Sequence, residues 1–392
     1  MFRRIASCVF LLLLLQPVCL SQTILVLPFQ NETDDASLDW ISESISETVR
    51  EMLSGEGKLV LSREERQEAY RRLAIRPLAR LTRATLIRIG ESLDATHLVY
   101  GRFGVSSEPD KPKSARIHAR LLDLTRMSQS REYSEIGLLD DLASLQDHLA
   151  WQTLKLLSPE SAPSAEELRQ RHPTIRVDAI ESYIRGLLAS QEDVKHKLFT
   201  QAARLDSRYS QPCYEVGRLH WDKKAYREAA EWFARVTPGD PNYLRALFLL
   251  GVSRYQLADF EGARASFASV AEKVPLNEVY NNLGAAESRL NRPEAPENFQ
   301  KALDGDPADP VYHFNAGVAH WKRKNFEAAA DCFRATTERD PSDKQATVML
   351  GRCLLKSGPR PGDKSDGMER LKTDFEESAY RHLKAALEPR KK

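Results

Sequence analysis

The sequence predicts an α+β amino-terminal domain, made of a mixed sheet with packed helices, followed by an all-α solenoid of repeated helix pairs. Three features support this division. Short apolar runs alternate with helical patterns over residues 22–157. A segment rich in serine and proline follows at 158–165. Beyond it, glycines recur 33 or 34 residues apart, which indicates a repeat architecture.

Residues 1–21 have the order of a secretory signal peptide. Arginines come first, an apolar run follows, and small residues precede the expected cleavage point. We therefore expect an exported protein of the periplasm or cell envelope, with a mature chain that begins near Gln22. An uncleaved membrane anchor and a lipoprotein attached through Cys19 are the alternatives. The apolar run is short for a membrane span, and the residues before Cys19 fit lipid attachment poorly.

The α+β domain is expected to span residues 22–157. Residues 23–29 are almost wholly apolar, as in a central strand that is covered on both faces. Apolar residues at helical spacing over 38–53 indicate an amphipathic helix. The other expected elements are helices at 63–73, 85–93 and 139–157, and strands at 58–62, 96–105, 115–124 and 131–136. This mixed order predicts a twisted sheet with helices packed on it.

Short motifs in this domain carry a family resemblance. They are Ile24-Leu-Val-Leu-Pro-Phe29 with Asn31, Leu93-Asp-Ala-Thr-His-Leu-Val-Tyr-Gly-Arg102, and Arg120-Leu-Leu-Asp123. The domain resembles the amino-terminal domain of the translocation protein TolB and similar domains of flagellar and curli secretion lipoproteins. The resemblance covers roughly 130 residues. It implies the same fold and a place in the bacterial envelope.

A linker is expected over residues 158–177. It begins with Ser-Pro-Glu-Ser-Ala-Pro-Ser-Ala, and the charged residues 166–172 are expected to extend it as a helix. Because few contacts are expected across such a segment, brief proteolysis between Leu157 and Pro173 should leave two stable fragments.

The helical part is expected to span residues 178–389 as about six helix pairs. Four units share a glycine, an alanine 11 or 12 positions later, a phenylalanine and a proline. The glycine and alanine let two helices approach closely, the phenylalanine fills the space between units, and the proline ends the second helix. The four sets are Gly217, Ala229, Phe233, Pro241; Gly251, Ala263, Phe267, Pro275; Gly284, Ala295, Phe299, Pro307; and Gly317, Ala329, Phe333, Pro341. This order resembles the tetratricopeptide repeat, which many bacterial envelope proteins couple to a TolB-like domain.

The terminal units depart from this order. The first contains Gly186 and has a shorter loop. Gly351 opens the last unit, whose second helix is expected at 379–386. The insert at 357–374 is rich in turn-forming and charged residues, so it is expected to be an exposed loop.

Composition and motifs exclude several functions. The chain has 392 residues and a formal net charge of +1, which argues against nucleic acid as a partner. It contains no phosphate-binding glycine loop, zinc motif or nucleophile elbow, so we expect no catalytic residues, no metal and no cofactor. Eight arginines lie within residues 63–88. A solvated helix face is the first interpretation of them, and contact with an acidic partner or with the headgroups of a membrane is the alternative.

The first helix of each unit is expected to line a concave groove. Side chains one, four or five residues after the glycine then point into it. They are Arg218, Trp221, Tyr255, Arg289, Trp321, Lys322 and Arg352. Aromatic and basic side chains in a groove suit a protein or peptide partner that carries acidic groups. For the two tryptophans, packing between units is the alternative.

These features predict an exported, non-enzymatic scaffold for protein–protein interaction, which binds a peptide or protein in the groove of its repeats. A component of an envelope secretion or assembly machinery is the alternative. A remote alternative is an enzyme with its site in the amino-terminal domain. The sequence leaves the oligomeric state open.

Overall fold

The structure is a computed structural model that describes residues 22–106, 112–171, 175–359 and 369–387. The expected signal peptide, residues 1–21, lies outside the described residues. The described chain forms a mixed-sheet domain with packed helices and then a run of paired helices, so the predicted fold class is confirmed. No helix in these four ranges is long and apolar enough to cross a membrane.

The sheet of the described domain has seven strands. They are β1 (Thr23–Val26), β2 (Gln30–Asn31), β3 (Leu59–Val60), β4 (His97–Ser106), β5 (Ser114–Asp123), β6 (Ser128–Gln129) and β7 (Tyr133–Leu138). Their order is β3-β1-β4-β5-β6, with β2 also paired to β4 and β7 also paired to β5. β1 runs parallel to β3 and β4, whereas β5 runs antiparallel to its three neighbours.

Both faces of the sheet are covered by helices. These are α1 (Trp40–Gly55), α2 (Arg63–Arg72), α3 (Arg83–Ser92) and α4 (Leu142–Leu157). Ile24 and Val26 of β1 belong to the core shared with α1 and α4. Leu25 and Leu27 belong to the opposite core, shared with α3. A strand buried on both sides needs apolar residues at every position, which explains the continuous apolar run.

Two arginines of the basic stretch have structural roles. Arg66 is 3% exposed, pairs with Glu43 of α1 and donates to the Val26 carbonyl at 3.2 Å. Arg63 pairs with Glu43 at 2.7 Å and donates to the Leu187 carbonyl at 3.0 Å. These side chains join α2 to α1 and to the first repeat, so the solvated-face interpretation is wrong for both of them.

The helical part begins with α5, in the linker, and continues as helix pairs. The helices are α5 (Ala165–Arg171), α6 (Val177–Leu188), α7 (Glu192–Leu205), α8 (Gln211–Asp222), α9 (Tyr226–Phe233), α10 (Tyr243–Gln256), α11 (Phe260–Lys273), α12 (Asn277–Arg289), α13 (Ala295–Gly305), α14 (Pro310–Lys322), α15 (Phe326–Arg339), α16 (Lys344–Leu354) and α17 (Glu377–Leu387). In five consecutive pairs, from α6 to α15, the glycine of the first helix faces the phenylalanine of the second. A Cβ at Gly217, for example, would lie 2.6 Å from the Phe233 ring. Only glycine permits this approach, as expected from the repeat pattern.

The end of the chain differs from the expected last unit. α16 packs on α15, but among the described residues no atom of another element lies within 4 Å of a Cβ built on Gly351. α17 instead follows a segment that crosses the middle units, where Phe375 packs on Phe248 of α10. The expected second helix of the last unit is therefore wrong, because α17 lies against the repeats at another place.

The insert also departs from its prediction. Glu369 is buried, and residues 370–372 are half-buried. The exposed-loop expectation is wrong for these residues because their polar groups bond to polar side chains of the repeats. Residues 360–368 lie outside the described residues.

The amino-terminal domain and the repeats share one apolar core. Val49 and Met52 of α1 belong to the same cluster as Ile180 and Tyr183 of α6, and Leu168 of the linker helix α5 is 3% exposed within it. The first helix pair of a solenoid has no preceding repeat to cover its apolar face. Here α1 supplies that cover. The expectation of few contacts across the linker is therefore wrong.

Candidate functional site

The candidate site is a groove on the surface of the first helices α10, α12, α14 and α16. Residues 369–376, which precede α17, lie across these helices; we call them the groove segment. Glu369 contacts α14 through Lys322, and Phe375 contacts α10 through Phe248. The groove segment therefore runs opposite to the order of the repeats.

Two asparagine amides hold the main chain of the groove segment. Asn315 donates to the Arg370 carbonyl at 2.7 Å and accepts from the Arg370 N–H at 2.8 Å. Asn282 donates to the Lys372 carbonyl and accepts from the Lys372 N–H, both at 2.8 Å. Asn281 also donates to the Arg370 carbonyl, at 3.0 Å, and accepts from Asn315 at 2.7 Å. The N–H and C=O of Arg370 and of Lys372 are thus all satisfied, as in strand pairing.

Two aspartates bind the basic side chains of the same residues. Arg370 pairs with Asp343 at 2.5 and 2.9 Å, which lowers the pKa of Asp343. Lys372 pairs with Asp309. Both aspartates are helix N-caps, of α16 and α14 respectively, and accept backbone N–H bonds there. The caps hold the carboxylates in place, so the groove presents fixed negative charge to each basic side chain.

The contacts follow a register of two residues per repeat. Arg370 uses the asparagine of α14 and the aspartate that caps α16. Lys372 uses the asparagine of α12 and the aspartate that caps α14. Alternate residues of an extended chain point the same way and lie about 6.7 Å apart. Equivalent positions of successive repeats therefore bind every second residue of the groove segment.

Glu369 occupies the third charged site. Its buried carboxylate accepts from Ser288 Oγ at 2.6 Å and from Lys322 Nζ at 2.5 Å. The Tyr255 hydroxyl donates to the same carboxylate at 3.4 Å. Burial, and secondarily the Glu369 charge, raises the pKa of Tyr255, so this hydroxyl keeps its proton. The groove thus binds an acidic side chain beside its two basic ones.

An aromatic site follows at the other end of the groove segment. The Phe375 ring lies 5.2 Å from the Phe248 ring at 74°, and 4.7 Å from the Tyr380 ring. The Arg245 guanidinium lies 4.8 Å from the Tyr380 ring and pairs with Glu377. Phe375 is 6% exposed. This buried aromatic is the apolar anchor of the segment.

Helix α17 then reaches the amino-terminal domain. Arg381 pairs with Glu65 of α2 at 3.0 Å and with Glu377 at 2.6 Å. A cavity of about 820 Å³ lies where α1, the first repeats and α17 meet. Burial raises the pKa of Glu51, which lines this cavity, to about 8. The groove segment and the domain junction are therefore connected through one helix.

The structure brings together three of the predicted groove residues, Tyr255, Arg289 and Lys322. Tyr255 and Lys322 meet at the Glu369 carboxylate. Arg289, on the neighbouring helix α12, donates to the Tyr255 hydroxyl, and its guanidinium lies 4.4 Å from the Phe260 ring.

The other predicted groove residues lie apart from the groove segment's charged contacts. Trp321 is 0% exposed, and its Nε1 donates to the Ser357 carbonyl at 2.7 Å, so the packing alternative describes it. The Arg352 guanidinium lies 5.9 Å from that indole ring. Trp221 is half-buried beside Tyr226, and Arg218 is exposed.

The asparagines and capping aspartates were missed by the sequence pattern. Positions after the repeat glycine include Tyr255, whereas Asn282 and Asn315 lie two positions before Gly284 and Gly317. Asn282 and Asn315 stand where the flanking units have Leu249 and Met349. An amide in place of an apolar residue, in two adjacent units, was the available signal. A search for polar departures from the repeat would have found both.

Comparison with known proteins supports the repeat assignment. A family model described as tetratricopeptide repeat matches residues 214–278, 285–335 and 314–359. Residues 214–359 contain tetratricopeptide repeats. No curated protein matches the chain.

Several solved structures are similar to part of this chain. YrrB, described as a TPR protein with an unusual peptide-binding site, is 19% identical, with 51% of this chain and 96% of that chain covered and a TM-score of 0.41. A MamA structure is 14% identical, with 41% and 96% covered and a TM-score of 0.37. A MamA fragment from Desulfovibrio magneticus RS-1 is 22% identical, with 43% and 99% covered and a TM-score of 0.38.

Proposed function

We propose that this protein is an exported interaction scaffold whose repeats hold an extended peptide segment of a protein partner. The observation that carries the proposal is the paired bonding of Asn282 and Asn315 to the main chain of the groove segment. Main-chain groups are common to all peptides, so these bonds supply affinity. Side-chain sites beside them supply selectivity. A non-enzymatic role fits this arrangement.

The location of this scaffold is part of the same proposal. The signal-like residues 1–21 and the resemblance of residues 22–157 to TolB-type domains favour the periplasm or cell envelope, and a secretion or assembly machinery there as the setting. Amino-terminal sequencing of the purified protein should begin near Gln22. An intact Met1 in a cytosolic fraction would contradict export.

Peptide binding is tested with a labelled synthetic peptide of residues 369–376 added to the full chain carrying Glu369→Ala and Phe375→Ala. These changes weaken the chain's own groove segment. Fluorescence anisotropy should show saturable binding of the peptide. Adding Asn282→Leu and Asn315→Leu should weaken it by at least about tenfold, because four main-chain bonds are lost.

A matched control is Asn298→Ala, which removes a buried asparagine that bonds to Glu287 away from the groove. This change should leave peptide binding as it is. Equal binding by the Asn282→Leu, Asn315→Leu chain would contradict the proposed groove.

A further inference from the structure

We infer that residues 369–387 are a built-in competitor for the groove, and that the partner which displaces them is an extended peptide with an acidic residue followed by two basic residues at alternate positions. This inference rests on the proposed function. It names the chemistry of the partner and the event that its binding requires.

The order of charges in the groove defines the partner. Lys322 presents positive charge at one place, and the helix caps Asp343 and Asp309 present negative charge at the next two. A uniformly acidic peptide would set carboxylates against these aspartates, and like charges at close range are unfavourable. The expected acidic partner is therefore replaced by one of mixed charge, with the order seen in Glu369, Arg370 and Lys372.

The spacing of the sites adds a second requirement. Each basic side chain reaches its aspartate from a residue whose own N–H is bonded to the asparagine of the preceding unit. Two basic residues therefore need one residue between them and an extended backbone. A helical peptide fails this test because its peptide groups bond within the helix.

The groove segment can leave without dismantling the solenoid. The glycine–phenylalanine contacts of five helix pairs involve no residue of 369–387. Phe375 and Tyr380 do belong to the apolar core of the middle repeats, so release uncovers that part of the core until a peptide with its own aromatic residue covers it. Within the segment Thr373 and Asp374 are exposed, while Lys372 is half-buried. After release, the groove asparagines face water, so their amides stay hydrogen-bonded. The segment is therefore held by its own contacts, which a matching peptide can replace.

Tethering makes the segment an effective competitor. A tethered ligand competes at an effective concentration on the order of millimolar. A free peptide binds only those molecules whose groove is open. Its apparent affinity is therefore reduced in proportion to the fraction of open grooves. Displacement would also release α17, with Arg381 and Glu377, from Glu65 and Arg245. Partner binding would then alter the contact between the repeats and the amino-terminal domain.

The test compares the labelled peptide of residues 369–376 on two full-length chains, the wild type and the Glu369→Ala, Phe375→Ala chain. We expect binding at least about tenfold tighter to the second, because its own segment competes weakly. Thr373→Ala, at an exposed position of the segment, is the control and should behave as the wild type. Equal affinity for both chains would overturn the built-in competitor while leaving peptide binding intact. Binding to neither chain would overturn the proposed function as well.

The partner chemistry is tested with two altered versions of this peptide, added to the Glu369→Ala, Phe375→Ala chain. One exchanges the acidic residue with the second basic residue, and the other replaces both basic residues by glutamate. Both should bind at least about tenfold more weakly, because their charges meet like charges in the groove. Equal binding of either peptide would overturn the charge order.

The intramolecular arrangement is tested by sedimentation of the wild-type chain. A monomer is expected at all concentrations. A dimer that dissociates when Glu369→Ala and Phe375→Ala are introduced would show exchange of the segment between two copies, and would overturn the intramolecular competitor.

Discussion

The interior of the repeats and the groove on their surface are built by opposite rules. In the interior, a glycine faces a phenylalanine in five consecutive helix pairs. In the groove, Asn282 and Asn315 occupy a position where neighbouring units carry Leu249 and Met349. Residues that recur in these five units pack one helix on the next. Residues that occur in only some units bind the groove segment.

The difference has a physical origin. Each unit must bury an apolar face against the next, and the same helix geometry demands the same residues each time. Recognition has no such demand, because it depends on which groups a particular peptide presents. Interior substitutions should therefore reduce stability and spare the groove contacts, and groove substitutions should do the reverse.

The largest effect is expected for Phe333→Ala. The ring is 0% exposed and packs on Gly317, so its loss should lower the free energy of unfolding by about 3 to 5 kcal/mol. Denaturant unfolding measures this. Leu355→Ala is the control, because Leu355 is 82% exposed and its loss should change stability by no more than about 0.5 kcal/mol. Similar losses of unfolding free energy for both variants would contradict the assignment of Phe333 to the interior.

A nearly equal effect is expected for Trp321→Ala, because the structure places this tryptophan in the interior. The buried indole and its bond to the Ser357 carbonyl would be lost, at a cost of about 3 to 5 kcal/mol. The melting temperature should fall sharply, and the folded fraction should keep its affinity for the peptide of residues 369–376. Unchanged stability with weakened peptide binding would return Trp321 to the groove.

Asn315→Leu is expected to change the stability of the whole protein less than the two interior substitutions do. Its main effect should be more frequent opening of the groove segment. Two bonds to Arg370 would be lost, so the segment should open more often. Trypsin cleavage after Arg370 and Lys372, followed by mass spectrometry, should become about tenfold faster. Cleavage at the wild-type rate would show that the amide does not hold the segment.

The smallest effect is expected at the junction between the two domains, which lies outside the repeat pattern. Burial raises the pKa of Glu51 to about 8, well above its unfolded value, so the folded protein retains a proton that the unfolded chain has released. Stability from this group is therefore lost as pH rises from about 4.5 to about 8. Glu51→Gln should reduce this decline in unfolding free energy between those pH values. An unchanged pH profile would show that Glu51 is ionised in the fold.

Prediction from sequence succeeded where a residue pattern is compatible with only one local structure. The apolar run at residues 23–29 requires cover on both faces, and the repeat glycines require a close helix contact, so both elements were predicted. Tyr255, Arg289 and Lys322 were also predicted, because they lie four or five residues after a repeat glycine. The groove segment was not predicted, because a polar, turn-rich composition is as typical of an exposed loop as of residues whose polar groups bond to a neighbouring surface. Only the partner side chains on the repeats distinguish the two, and for Arg370 they lie 25 or more positions away in sequence.

The most direct measurement is amide hydrogen exchange at Arg370 and Lys372 in the full-length wild-type chain. Their N–H groups donate to Asn315 and Asn282, so both should exchange at least about a hundredfold more slowly than in an unstructured peptide. Asn282→Leu with Asn315→Leu should remove this protection while the amides of α15 stay protected. Exchange of both N–H groups in the wild type at the rate of an unstructured peptide would contradict the groove as a peptide-binding site occupied by its own chain.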